Sequence, residues 1–193
     1  DLFGLLFILL KTGLSGTMRL TIFFFLLLTS PVFLVAQGTV YYVKPGGTGT
    51  GMSWEQASGN LNAILKMAFP GDEIWVAAGT YKPTKDPNQR HRSFVVVDGV
   101  KLLGGFAGNE SSVEQRNWLK NKTILSGEIG AEGPDDNIYN VVFTKNVTEK
   151  TIIDGFIIEG GNANTEGEQG SRSRSGGAWY NDGSNGGNSS PTI

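Results

Sequence analysis

The sequence contains no cysteine and a single histidine, and charged residues make up only 18% of its 193 positions. Without cysteine, the chain can form no disulfide, thiolate metal site or cysteine nucleophile, and it has no cysteine for a lipid anchor. The net charge of −2 predicts no basic face for nucleic acid or anionic lipid. Hydrophobic residues make up 39%, which is enough for a buried core and argues against a disordered chain.

The N-terminal region has the pattern of an export signal. Met18 and Arg19 precede a short apolar run at 20–28, Pro31 interrupts it, and Ala36 offers a cleavage point. A membrane anchor is the alternative, but the run is short for a membrane span. We therefore interpret residues 18–36 as a signal peptide and residues 1–17 as a non-native upstream segment. This predicts a secreted or outer-cell-surface protein without a stable membrane span after cleavage.

The rest of the chain predicts many short strands. Glycine is abundant, at 28 residues, but without the period of three that collagen requires. Short β-branched and aromatic runs end at Gly, Asn or Asp, as strands closed by tight turns do. Strands are predicted at 39–43, 72–81, 93–97, 100–106, 122–127, 140–143, 151–155, 156–161 and 176–181, and residues 191–193 begin another.

One short helix is predicted among these strands. Leu61, Ile64, Leu65 and Ala68 have the i, i+3, i+4, i+7 spacing of one apolar helix face. Ser58 or Asn60 can cap its start, and Pro70-Gly71 ends it.

The strands are too short to be stable singly, but stacked on one another they bury a continuous core. A Greek-key sandwich is the competing fold. It needs longer strands in which polar and apolar residues alternate. Residues 151–161 instead have pairs of apolar residues between turn residues, which favours a solenoid.

An ordered set of motifs resembles the N-terminal region of pectin-lyase-like parallel β-helix proteins exported by Gram-negative bacteria. The run Gly-Gly-Ala-Trp-Tyr-Asn at 176–181 is similar to repeats of the polymorphic outer-membrane-protein type. The resemblance covers nearly all of residues 39–193, and its further motifs are Tyr-Val-Lys-Pro at 42–45, Ser-Trp at 53–54, Pro-Gly-Asp-Glu-Ile-Trp-Val-Ala-Ala-Gly-Thr-Tyr at 70–81, Leu-Gly-Gly-Phe at 103–106, Ile-Leu-Ser-Gly at 124–127, Ile-Asp-Gly-Phe at 153–156 and Gly-Gly-Asn-Ala-Asn at 160–164.

The resemblance implies a mainly β fold, a right-handed parallel β-helix with a short N-terminal capping helix, incomplete at the C-terminus. Residues 37–110 would form the cap and first strands, and residues 111–193 the first coils. Since a fold does not fix an activity, two functions stay open. The first is binding of polysaccharide or cell-surface glycans, or adhesion. The alternative is a polysaccharide lyase or glycoside hydrolase whose catalytic coils lie in a missing C-terminal part.

Enzymes of this family use carboxylates, either as calcium ligands in lyases or as paired acid and base in hydrolases. Turn or surface roles explain the acidic residues here more simply, and no catalytic residue or metal ligand is assigned from the sequence. No cofactor is evident, and calcium stays open for a full-length protein. The acidic candidates are Glu128, Asp135, Asp136, Asp154 and Glu159.

Aromatic residues offer a carbohydrate hypothesis, because aromatic faces stack on sugar rings. Trp75 and Trp179 lie in strand-like runs, where core positions are expected. Trp54 and Trp118 lie among polar residues, and Trp118 is the better candidate for a carbohydrate contact. His91, in a polar loop, is expected to be solvated.

Overall fold

The computed structural model describes residues 38–185 and 187–193. The upstream segment 1–17 and the signal peptide 18–36 therefore lie outside the described residues. Gln37–Ile193 form one compact unit. Within the described ranges, no helix has both the length and the apolar character needed to cross a membrane.

The described residues form ten short strands and one α-helix, connected by turns and loops. A 3₁₀ turn at Val113–Gln115 lies in one of the loops. In chain order the elements are β1 (Val40–Val43), α1 (Leu61–Met67), β2 (Glu73–Ala77), β3 (Gly79–Tyr81), β4 (Phe94–Val96), β5 (Lys101–Phe106), β6 (Thr123–Ser126), β7 (Val142–Lys145), β8 (Ile152–Asp154), β9 (Phe156–Glu159) and β10 (Trp179–Asp182).

The strands form three sheets, and every strand pair is parallel. The first sheet has the order β1-β2-β5-β8, the second β3-β6-β9 and the third β4-β7-β10. From β2 onwards, successive strands therefore enter the first, second and third sheets in turn, three times over. This topology excludes the antiparallel sandwich for the described residues.

Inward-facing side chains from equivalent strands form rows that meet in one core. Ile74, Leu102 and Ile153 occupy matching positions of the first sheet. In the second sheet the matching residues are Tyr81, Leu125 and Ile158. In the third sheet they are Phe94, Val142 and Trp179. Seven of the nine are buried members of one hydrophobic cluster, and the partly buried Ile158 and Trp179 pack against it. Each fully buried aliphatic or aromatic side chain contributes about 1.5–3 kcal/mol, so the strands are stabilised by the rows they share.

The predicted helix is confirmed. Asn60 is its N-cap, since its Oδ1 accepts a hydrogen bond of 3.0 Å from the Ala63 amide. The hydroxyl of Ser58, the other predicted cap, accepts instead from the Asn60 amide at 3.1 Å. Leu61, Ile64 and Leu65 are buried, and the helix packs against β4 and β1.

The segment 72–81 is predicted as a strand that leads to a glycine turn, and the structure adds a second strand at that turn. The segment divides into β2 and β3, which belong to different sheets. Gly79 has a φ of +146°, and a Cβ there would lie 2.4 Å from Pro45 Cγ. The glycine thus allows the chain to change direction where another residue would clash with Pro45. Two further predicted strands begin later than expected, at Val142 and at Trp179.

A second, aromatic cluster covers the other face of the first sheet. Trp75 stacks on Phe106 with ring centroids 4.8 Å apart, and Tyr42 meets the edges of both tryptophan rings in this cluster. Trp54, which the sequence places among polar residues, is only 7% exposed. Its indole N–H donates a hydrogen bond of 2.9 Å to the carbonyl of Glu110. Trp54 is therefore a structural residue.

Candidate carbohydrate-binding site

Trp118 lies at the surface with 52% of its area exposed, as the sequence predicts, and it lines a pocket of about 390 Å³. The same pocket contains Lys122, Asp154 and the outward-facing Ile157. Apolar side chains of the last strands complete the wall: Ile153, Phe156, Ile158, Trp179 and Ile193. An exposed indole ring thus shares one concave site with a cation and a carboxylate.

The backbone of Trp118 is fixed by its neighbours. Gly105, with a φ of +91°, has no side chain to keep the Trp118 backbone away, and its carbonyl accepts a hydrogen bond of 2.7 Å from the Asn117 amide. The Asn121 side chain donates to the same carbonyl at 3.2 Å. The Asn117 side chain in turn accepts from the Leu119 and Lys120 amides at 3.2 and 3.0 Å. The backbone of Trp118 is therefore held in a hydrogen-bonded turn.

Arg116 connects Trp118 to Asp154. Its guanidinium lies 5.4 Å from the centroid of the indole ring and forms an ion pair with the Asp154 carboxylate. A second guanidinium nitrogen contacts the carbonyl of Gly104 at 3.5 Å. The Arg116 side chain is largely buried, whereas the Asp154 side chain is 41% exposed. The buried Arg116 therefore positions both the Trp118 ring and the Asp154 carboxylate, and Asp154 stays partly accessible from the pocket.

The other acidic candidates do not join this site. Asp136 accepts a hydrogen bond of 2.7 Å from the Ala131 amide, which is the expected turn role. Asp135 and Glu159 are exposed, and Glu128 is partly buried. Among the described residues, no group of three or more His, Cys, Asp or Glu side chains is arranged to hold a metal ion. His91 is exposed in its loop.

The site contains two charged residues that the sequence did not single out, Arg116 and Lys122. Arg116 stands two positions before Trp118, but its partner Asp154 is 38 residues further along the chain. The signal that could have found the site is the Asp154-Gly155 turn, since it ends a strand of the first sheet and brings the carboxylate to the surface.

This arrangement is suited to binding a sugar. An aromatic face packs against the apolar C–H face of a sugar ring, and a few charged groups beside it hydrogen-bond hydroxyls and set the orientation. Asp154 supplies acceptor oxygens and Lys122 supplies donors.

Comparison of the chain with protein-family models, with curated proteins and with solved structures finds no match.

Proposed function

We propose that this chain folds as a right-handed parallel β-helix and belongs to a secreted or cell-surface protein that binds polysaccharide through the Trp118 pocket. The cyclic order of strands over three parallel sheets supports the β-helix, with each round of three strands forming one coil. Crossovers between parallel strands of one sheet are right-handed almost without exception, which supports a right-handed winding of the β-helix. In this proposal α1 caps the core beside β1 and β4.

One observation carries the binding function: Trp118 and Asp154, distant in sequence, line the same pocket with an arginine fixing both. The exposed apolar face of Trp118 contacts water until a partner stacks on it, and the ion pair already orders the Arg116 and Asp154 side chains. A ligand with an apolar ring face and hydroxyl groups can stack on the Trp118 ring and donate hydrogen bonds to the Asp154 carboxylate. The sequence motifs similar to pectin-lyase-like proteins point to the same ligand class.

The test is a glycan array followed by titration of the best ligand with the wild-type chain, Trp118→Ala and Asp154→Asn. We expect wild-type binding to at least one polysaccharide and a loss of about tenfold in affinity for Trp118→Ala, equivalent to about 1.4 kcal/mol. Phe69→Ala is the matched control, because Phe69 is 73% exposed and lies outside the pocket. The proposal is wrong if no glycan binds, or if Phe69→Ala weakens binding as much as Trp118→Ala.

A polysaccharide lyase is the second candidate function, and Lys122 in the pocket is the observation that favours it. A lysine beside the substrate could remove a proton, with Asp154 nearby. Arg116 pairs with one oxygen of the Asp154 carboxylate, so a calcium ion at this carboxylate would compete with the guanidinium for its charge. Acidic polysaccharides would then yield unsaturated products with a rise in ultraviolet absorbance, and Lys122→Ala would abolish that rise. No absorbance change across a substrate panel eliminates the lyase.

A further inference from the structure

A second pocket, of about 170 Å³, lies between α1 and the loop that precedes β4, and it is strongly basic. Four of its lining residues carry basic side chains: Lys66, His91, Arg92 and Arg172. The other described residues that line it are Asn62, Leu65, Ser93 and Val95, so the described part of the chain places no carboxylate in its wall. The chain as a whole has a net charge of −2, so this local concentration of basic groups runs against the overall charge.

Arg172 is held in place by neutral partners. Its guanidinium donates to the Ser93 hydroxyl at 2.8 Å and to Asn140 Oδ1 at 3.3 Å, and it lies 4.1 Å from the centroid of the Phe143 ring. Desolvation by burial lowers the pKa of Arg172, and electrostatic attraction to Tyr180 and Asp182 opposes this effect only in part. The described residues contain three salt bridges, and none includes Lys66, Arg92 or Arg172. A partly buried cation that forms no direct ion pair is stabilised by an anion that enters the pocket.

Asn140 anchors the loop that carries Arg172. Asn140 is only 1% exposed, and its side-chain amide donates to the carbonyls of Arg172, Ser175 and Gly176 at 2.9, 2.7 and 3.0 Å. The buried side chain thus ties the end of a long polar loop to the segment that precedes β7. The position of Arg172 is therefore set by the core and not by the surface loop alone.

An aromatic strip continues from the pocket across the outer face of the third sheet. Val95, Phe143 and Tyr180 occupy matching outward positions of β4, β7 and β10. The rings of Phe143 and Tyr180 stack with centroids 6.0 Å apart and planes 17° from parallel. Arg172 packs on the first of these rings, so the basic and the aromatic surfaces are continuous.

We propose that Lys66, His91, Arg92 and Arg172 form a binding site for a carboxylate or sulfate group of an acidic polysaccharide, with sugar rings lying along the strip of Val95, Phe143 and Tyr180. The basic groups are confined to one small pocket, which fits one or two anionic groups. A nucleic acid backbone would need basic residues spread along a face. This site is separate from the Trp118 pocket, since the two pockets have no lining residue in common.

The test measures binding of the whole chain to dextran sulfate, polygalacturonate, uncharged dextran and inorganic sulfate. We expect binding to one or both charged polymers that weakens with added salt, little binding to dextran through this site, and weaker binding to inorganic sulfate, which lacks sugar rings. Arg172→Gln and Arg92→Gln should each reduce affinity for the charged polymer by roughly tenfold. Circular dichroism of each variant verifies folding.

Arg174→Gln is the matched control, because Arg174 lies in the same loop but outside the pocket, with one hydrogen bond of 3.0 Å to the Gly167 carbonyl. It should change the affinity by less than about twofold. Equal losses for Arg174→Gln and the two pocket variants would mean diffuse charge attraction and would overturn the proposal. Failure of both charged polymers to bind would also overturn it, and so would binding only to anionic vesicles or nucleic acid.

Discussion

Gly105 lies so close to Trp118 that a Cβ atom on Gly105 would be 2.9 Å from the Trp118 Cα. We expect Gly105→Ala to lower the free energy of unfolding by about 2–4 kcal/mol, because the methyl group adds a clash to an unfavourable positive φ. It should also displace Trp118 and weaken glycan binding. Gly46→Ala is the control, since Gly46 has a φ of +71° and open space around its Cβ position.

Urea denaturation and glycan titration of both variants check this prediction. Gly46→Ala should cost only about 1 kcal/mol, the contribution of backbone strain, and leave binding unchanged. Equal destabilisation by the two variants would show that contact with Trp118 contributes nothing.

Arg90 joins three segments through its side chain. It donates to the carbonyls of Asn137 and Asn162 at 2.7 and 3.1 Å and to Asn164 Oδ1 at 2.7 Å. We expect Arg90→Gln to lower the free energy of unfolding by about 1.5–3 kcal/mol, since these acceptors lose a charged donor. Arg174→Gln should change it by less than about 0.5 kcal/mol. Urea titrations at neutral pH make the comparison, and similar values for both variants would contradict the prediction.

Glu110 makes folding stability depend on pH. Burial opposes ionisation of its carboxylate, but hydrogen bonds from the amides of Ala107, Gly108 and Asn109, at 2.5 to 3.0 Å, outweigh burial and lower its pKa from the usual 4.5. The stabilisation is therefore complete above pH 4.5 and is lost as the pH falls through the lower pKa of the folded state. Glu110→Gln should destabilise the chain at pH 7.

Unfolding free energies at a series of pH values from about 7 to about 3 check this prediction. The wild-type chain should lose stability on acidification more steeply than Glu110→Gln. Glu166→Gln, at an exposed loop position, should follow the wild-type curve. If Glu110→Gln also follows the wild-type curve, the hydrogen bonds to Glu110 do not contribute to the pH dependence of stability.

Strand β9 lies at the edge of the second sheet, with β6 as its only strand partner among the described residues. An uncovered edge with the exposed, outward-facing Ile157 favours association between chains, so we expect residues 37–193 expressed alone to self-associate. Ile157→Lys should reduce this association, measured by light scattering. Ile124→Lys is the control, because Ile124 occupies the matching outward position on the central strand β6. A wild-type monomer with a sharp cooperative melt would contradict the prediction.

Local sequence patterns predicted the helix and most strands, because those elements depend on residues close in the chain. Asn60 and the apolar spacing of Leu61, Ile64 and Leu65 determine α1. Gly155 marks the turn between β8 and β9. The glycine turn in 72–81 was predicted, but the start of a second strand in another sheet was not. A glycine that ends a strand and a glycine that redirects the chain to another sheet give the same sequence signal. Only the contact of Gly79 with Pro45 distinguishes them.

The sites were less predictable, because their partners are far apart in sequence. Exposure of Trp118 could be inferred from its polar neighbours, yet the same argument fails for Trp54, whose partner Glu110 is 56 residues away. Likewise, Arg172 donates a hydrogen bond to Ser93, which is 79 residues away in the sequence. The sequence pattern around either residue therefore did not indicate a basic pocket.

The lengths of the connections vary widely around the same set of sheets. Gly155 alone joins β8 to β9, whereas residues 160–178 join β9 to β10, and both following strands still pair in register with the round before. Strand alignment is thus independent of how much chain lies between neighbouring strands. Proteins built on this plan can acquire or exchange recognition loops by insertion and deletion while the interior packing stays the same, which makes the loops natural positions for grafting new specificities.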